Sequence, residues 1–173
     1  MGKTEENLAA AFAGESQARN KYTFFADVAR KEGYHYIARL FEETAENEKR
    51  HAKDEFQLLH ALGDTADCLK QAIGGEDYEV KSMYPTFAKE AEEEGNQQAA
   101  NLFKQITKIE AHHRDRYQKL LEMVENGTVF KREEPIKWKC SVCGYIVEGK
   151  EPPPKCPCCK HPKEFYEPAN LDI

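Results

Sequence analysis

From Thr4 to about Glu125, apolar residues recur at i, i+3, i+4 and i+7, the spacing of amphipathic helices. Three breaks divide the pattern: Gly33 after Arg30-Lys31, Gly63-Asp64 after Leu62, and Gly95-Asn96 after Glu92 to Glu94. Each reads as a glycine-type helix stop, and Asn126-Gly127 ends the last run. The breaks predict helices over 4–31, 34–61, 65–94 and 96–125, each on the order of 40 Å long. Pro85 predicts a kink in the third, or its division into two shorter helices. The stripes are Leu8, Phe12, Ala18, Tyr22 and Phe25, then Phe41, Ala45, Ala52, Phe56 and Leu59. The third helix adds Leu69, Ile73, Val80, Met83 and Phe87, and the fourth Ala99, Phe103, Ile106, Tyr117, Leu120 and Val124. Four such helices on short turns predict an all-α four-helix bundle.

The pattern changes from Ile136 onward. Trp138, Tyr145, Phe165 and Tyr166 supply aromatics, and Pro152 to Pro154 block a helix. Of six cysteines, five lie between Cys140 and Cys159. A segment this small needs a metal or a partner to fold. The expected division is therefore a helical domain over 1–130 and a small metal-bound domain over 131–173.

Carboxylates interrupt all four apolar stripes near their middles: Glu15, Glu48 with His51, Glu76 with Glu79, and Glu110 with His113. A buried carboxylate must pair, protonate or bind a metal, because burying its bare charge costs several kcal/mol. The stripes supply no Lys or Arg partner, Arg19 near Glu15 being the nearest candidate. Glu-x-x-His places both groups on one helix face. Glu32/His35 also fits that spacing, but Gly33 breaks the helix between them. Bundle-core di-iron or di-manganese sites take one Glu from each of two helices and Glu-x-x-His from each of the others. Glu15, Glu76, Glu48/His51 and Glu110/His113 fill that set. Glu79 is surplus, either an exposed residue or a fifth carboxylate. Four carboxylates balance two ferrous ions, and oxidation adds positive charge only partly offset by a bridging oxide. Glu79 could then bind in place of a neutral histidine. His35, His60, His112 and His161 read as surface groups, and Cys68 as a small core residue.

Cys140-x-x-Cys143 and Cys156-x-x-Cys159 form two knuckles of a tetrahedral sulfur site, with Cys158 a bystander. Such sites suit iron and zinc alike. The structural zinc ribbon of an interaction module is the competing reading.

Together the two halves resemble rubrerythrin, a ferritin-like di-iron domain followed by a rubredoxin-like domain. The matching stretches are Phe12-Ala-Gly-Glu15-Ser-Gln-Ala-Arg-Asn-Lys-Tyr22, Phe41-Glu-Glu-Thr-Ala to His51-Ala-Lys, and Met83-Tyr-Pro-Thr-Phe87. The tail adds Trp138-Lys-Cys-Ser-Val-Cys-Gly-Tyr145 and Cys-Pro-x-Cys-x-His161-Pro-Lys163. The resemblance implies non-haem iron at both sites and an NAD(P)H-linked hydrogen peroxide reductase active in oxidative-stress defence. It carries the di-iron ligands onto Glu15, Glu48, Glu76, Glu110 and His113. It also implies that His51 and Glu79 alternate on one iron. Tyr22 and Tyr84 match family tyrosines near the site, and both also suit a core. Lys160 stands where rubredoxin knuckles place a small residue, at a cost of about 1 kcal/mol if its φ is positive.

Ferritin-like bundles join helices two and three by a long crossover. Here only about Leu62 to Asp64 separates them, whereas crossing roughly 40 Å needs at least about 12 extended residues. The expectation is a homodimer in which helices one and two of one chain complete a bundle with three and four of another. A simple up-down-up-down bundle is the alternative.

Charged residues make up 32% of the chain, above the roughly 25% usual in globular proteins, as long surface-rich helices require. The net charge of −6 argues against nucleic-acid binding. No apolar run nears the roughly 18 residues of a membrane helix, and the N-terminus has no secretory pattern, so a cytoplasmic protein is expected. No Gly-x-Gly-x-x-Gly occurs, so NAD(P)H electrons would arrive through a separate reductase or a rubredoxin. Ferroxidase or oxygen-reducing activity is the alternative use of the same bundle.

Overall fold

A computed structural model describes residues 2–59 and 62–170. The chain forms two compact units, Met1–Leu62 and Gly63–Ile173. The first is a helical hairpin of α1 (Lys3–Lys31) and α2 (His35–Leu59). Gly33, at φ 86°, ends α1. Its N–H donates to Arg30 O, and the Tyr34 N–H reaches back to Ala29 O at 2.8 Å. This paired closure needs a left-handed residue, which glycine adopts without strain. Ala26, Ala29 and Ala38 form the buried seam, packed against Phe41. Small side chains at the contact let two helix axes approach closely. His60, expected at the surface, lies outside the described residues.

The second unit begins with α3 (Thr65–Tyr78), which the Asp64 side chain caps by accepting the Asp67 N–H at 3.0 Å. Gly63 is not the left-handed stop expected of it; its φ is not positive among the described residues. A Cβ there would fall 2.2 Å from Asp67 Oδ2, so the glycine makes room for that side chain. Cys68, expected in the core, is exposed. It occupies the outward side of the first α3 turns, its sulfur 3.9 Å from Gly63 O.

The third expected helix runs on as α3, a π turn over Glu79–Met83, and α4 (Tyr84–Glu93). Pro85 opens α4 and terminates nothing. In the wider turn the Tyr84 N–H reaches Glu79 O, so the ladder already departs from the α pattern where the proline falls. Gly95 repeats the closure of Gly33, and α5 (Gln97–Glu125) returns alongside.

The two hairpins are versions of one another. A constant offset relates Tyr22, Phe25 and Phe41 to Tyr84, Phe87 and Phe103, and each trio packs ring against ring. The same offset relates Ala26, Ala29 and Ala38 to Ala88, Ala91 and Ala100, all buried. It also relates the ion pair Arg30–Glu42 to Glu92–Lys104 with the charges exchanged. Before the π turn the offset is one residue shorter: Tyr22 follows Glu15 by seven positions, Tyr84 follows Glu76 by eight. The π turn absorbs that extra residue, keeping carboxylate and tyrosine on one face.

Beyond α5, three antiparallel strands in the order β2-β1-β3 carry the tail: β1 (Ile136–Cys140), β2 (Ile146–Gly149) and β3 (Tyr166–Pro168). Trp138, Cys140, Cys156 and Tyr166 form its core. The Trp138 indole donates to Gly149 O at 2.9 Å, and the Arg132 guanidinium lies 5.3 Å from the ring centroid. His161 is half-buried against Phe165, not the surface group expected. No helix among the described residues is long and apolar enough to cross a membrane.

Two matching turns hold the cysteines. Gly144 N–H donates to Cys140 O at 2.8 Å and Lys160 N–H to Cys156 O at 2.9 Å. Their φ angles are 76° and 64°. Lys160 thus takes the strained conformation that its position predicts, with its Nζ folded back onto Pro157 O at 2.7 Å. Lys160→Gly is expected to stabilise the metal-loaded tail by about 1 kcal/mol in chemical denaturation. A destabilised variant would show that the Nζ contact outweighs the backbone strain.

Candidate metal centres

The four sulfurs of Cys140, Cys143, Cys156 and Cys159 lie within 4.8 Å of one another. Cys140 and Cys159 are 3.6 Å apart and Cys143 and Cys156 3.7 Å. A tetrahedron with metal–sulfur bonds of about 2.3 Å has edges of about 3.8 Å. The cage therefore fits a single tetrahedral ion, and Cys158 stands outside it, exposed. Burial pushes the Cys156 thiol up, but the Cys159 N–H, the Tyr166 hydroxyl and the Cys158 N–H outweigh burial and bring it to about 6. The Tyr145 N–H favours the Cys143 thiolate, yet burial and the adjoining sulfurs push it up to about 12. Without metal the cage keeps protons that a bound cation would expel.

The carboxylates assemble into two triads, one in each unit: Glu15, Glu48 and His51, and Glu76, Glu110 and His113. Their geometry repeats. His51 Nδ1 is 2.8 Å from Glu48 Oε2 and 3.7 Å from Glu15 Oε1. His113 Nδ1 is 2.7 Å from Glu110 Oε2 and 3.7 Å from Glu76 Oε1. Helix periodicity explains the pairing, since i and i+3 share a face while the hairpin supplies the third group.

Glu15 takes up its proton above the usual carboxylate range, through a shared hydrogen bond with Glu48, burial and that neighbour's charge. Glu76 is raised by burial, then by Glu110 in the same two ways. Among the described residues no guanidinium relieves either: Arg19 turns to Asn20 Oδ1, and Arg114 engages Asp77 and Asp115. Paired carboxylates on a shared imidazole form an oxygen- and nitrogen-rich donor set suited to divalent iron or manganese.

Glu79 begins the π turn outside its triad; burial and the Glu110 charge raise its carboxyl. Tyr84 borders the same group, its phenol raised by burial and then by Glu79, Glu110 and Glu76. Tyr22, its counterpart, lies in the aromatic cluster with Phe41, ring centroids 6.1 Å apart. Sequence reasoning missed Glu55. It lies one turn beyond His51, its charge raises Glu15, and its buried Oε2 makes no hydrogen bond. Its signal was its place on the face of Glu48 and His51, seven and four residues on.

The triads set the sign of a pH effect. Glu15 and Glu76 hold protons above their ordinary value of 4.5, so the folded metal-free protein binds them more tightly than the unfolded chain. That contribution to stability is complete below 4.5 and is lost as pH rises through the raised values. Calorimetry of the metal-free protein should therefore show Glu76→Gln gaining stability over the parent as pH rises to neutrality. A pH-independent difference would contradict the shared proton.

Comparison with known proteins points to one family. The family model described as Rubrerythrin matches residues 6–121, and that described as Rubrerythrin, rubredoxin-like domain, matches residues 138–167. A rubrerythrin of Porphyromonas gingivalis is 50% identical, covering 98% of this chain and 92% of its own. A rubrerythrin of Nitratidesulfovibrio vulgaris is 40% identical over 95% of this chain and 93% of its own. A solved structure of nigerythrin in a mixed-valence state is 36% identical, covers 97% of this chain and 87% of its own, and has a TM-score of 0.39. With its carboxylate–histidine ligand set and its four-cysteine, rubredoxin-like module, the chain belongs to the rubrerythrin family.

Proposed function

We propose that this protein reduces hydrogen peroxide to water in the cytoplasm, as a defence against oxidative stress. Residues 1–130 form the peroxide-reducing part and residues 131–173 the electron inlet. The supporting observation is the coexistence of two matching Glu–Glu–His triads with a tetrahedral sulfur cage on one chain. A one-electron module is required by a redox cycle and is superfluous to iron storage. The balance is H2O2 + NAD(P)H + H+ → 2 H2O + NAD(P)+, the reductant acting through a separate reductase or a rubredoxin.

Glu15, Glu48, His51, Glu76, Glu110 and His113 would hold an iron pair, and Cys140, Cys143, Cys156 and Cys159 a single iron. When bound, the pair supplies two electrons and Lewis acidity at the departing oxygen. Each histidine presents Nδ1 to two carboxylates, which fixes the ring orientation. Glu79 holds its proton more tightly than an exposed glutamate and so can carry one to the reacting oxygen. The same residue can ligate in place of His51 when the site gains positive charge. Tyr84, its phenol raised beside these carboxylates, serves as a hydrogen-bond donor, and its counterpart Tyr22 would act as a donor in the other hairpin.

The working unit is a homodimer with exchanged hairpins. Helix α2 ends at Leu59 and α3 begins at Thr65, too few residues to cross a bundle's length. Each triad has three ligands among the described residues, and the equivalent rings of Phe25 and Phe87 stay 46% and 40% exposed. A second copy's complementary hairpin would cover them and complete the set.

Three measurements test this reading. In anaerobic stopped-flow, the reduced protein should be reoxidised faster by peroxide than by oxygen; the reverse order would favour an oxidase or ferroxidase. Glu79→Ala should slow peroxide turnover while the iron pair remains, and unchanged turnover would remove Glu79 from the reaction. For the exchange, Glu48→Ala/His51→Ala and Glu110→Ala/His113→Ala chains are refolded together. Exchanged hairpins restore intact sites in mixed dimers, about one quarter of the parent's number under random pairing, whereas unexchanged bundles restore none.

A further inference from the structure

The sulfur cage contains a polar atom that the reading above does not use. Tyr166 opens β3, opposite Cys140 in the antiparallel register. It is 4% exposed and packs with Trp138, Cys140 and Cys156. Its hydroxyl oxygen is buried and makes no hydrogen bond of normal geometry. A phenol stripped of water without a partner costs a few kcal/mol, and buried tyrosines generally find an acceptor. The acceptor its hydroxyl faces is the Cys156 sulfur, a member of the same packed cluster.

We propose that Tyr166 donates its O–H to the Cys156 thiolate of the iron-loaded cage and thereby raises the reduction potential of that iron. The inference rests on the iron-based reading of the cage. The one-electron step, Fe(III) plus an electron giving Fe(II), takes the iron with its four thiolates from a net charge of −1 to −2. A donor aimed at a sulfur stabilises the more negative state, so it favours the reduced form. Tyr166 touches no substrate; it is a positioning residue that makes the inlet easier to fill with electrons. Backbone N–H groups serve the same end in both knuckles, but the phenol is a donor that one side-chain substitution removes.

The test uses the full-length protein loaded with iron, titrated spectroelectrochemically through its thiolate-to-iron absorption. Tyr166→Phe deletes only the oxygen and should lower the reduced-to-oxidised ratio at fixed potential about tenfold, a shift of about 59 mV for one electron. Replacing Tyr166 with 3-fluorotyrosine, a stronger donor, should move the potential the other way. A purely structural tyrosine would leave both potentials at the parent value, and that result overturns the proposal. If Tyr166→Phe fails to assemble, the fluorinated protein alone decides by the sign of its shift. Absence of the iron chromophore from the parent would instead overturn the iron reading, an outcome distinct from a chromophore whose potential does not move.

Discussion

In each helical hairpin two carboxylates converge on one imidazole nitrogen, with no lysine or arginine among the described residues to neutralise them. Glu15 and Glu48 share protons and repel, as do Glu76 and Glu110. The protein thus carries a local electrostatic penalty that a divalent cation removes and that protons relieve as pH falls through the raised values. Much else accommodates this constraint. The alanine seams let the helices of each hairpin approach closely. The aromatic trios stiffen the helix faces beside the ligands. Arg114 is drawn off by Asp77 and Asp115, leaving Glu76 unneutralised.

The internal repeat gives the penalty its form. One hairpin supplies three ligands, so a pair of metals calls for two hairpins, and the halves agree to about 0.1 Å in their closest His–Glu approach. They differ in one carboxylate each. The second hairpin has a π turn that brings in Glu79, a carboxylate with no counterpart in the first. The first has Glu55 beside Glu15, where the second has Tyr117. Each half therefore carries its own extra carboxylate, on a different helix, around an otherwise repeated frame. The exchanged ion pair, Arg30–Glu42 against Glu92–Lys104, shows that the frame tolerates either polarity as long as the partners match.

Most of this was legible in the chain because helices and knuckles have fixed periods. Glu48/His51 and Glu110/His113 sit at i and i+3 inside apolar stripes, so their convergence follows from helix geometry. The cysteine spacing selected Cys156 and Cys159 over Cys158, and the cage has that composition. Lys160 stands where rubredoxin knuckles place a small residue, a position that would be strained only if φ were positive, and its φ is 64°. What stayed hidden depends on contacts between segments. A π turn has no residue signature; it arises because Glu76 and Tyr84, eight positions apart, must share a face. Gly63 looked like a helix stop but yields space to Asp67. Cys68 carries an apolar side chain by composition, yet its turn faces water. Tyr166 was one more tail aromatic until the strand register set it opposite Cys140.

The central claim is that the triads hold two irons while the cysteines hold a third. Mössbauer spectroscopy of the protein loaded with iron-57 measures it directly. The account predicts a tetrahedral thiolate signal and a carboxylate-type signal from a coupled pair in a ratio of about one to two. A thiolate signal alone, with no iron in the carboxylate environment at full loading, would contradict it.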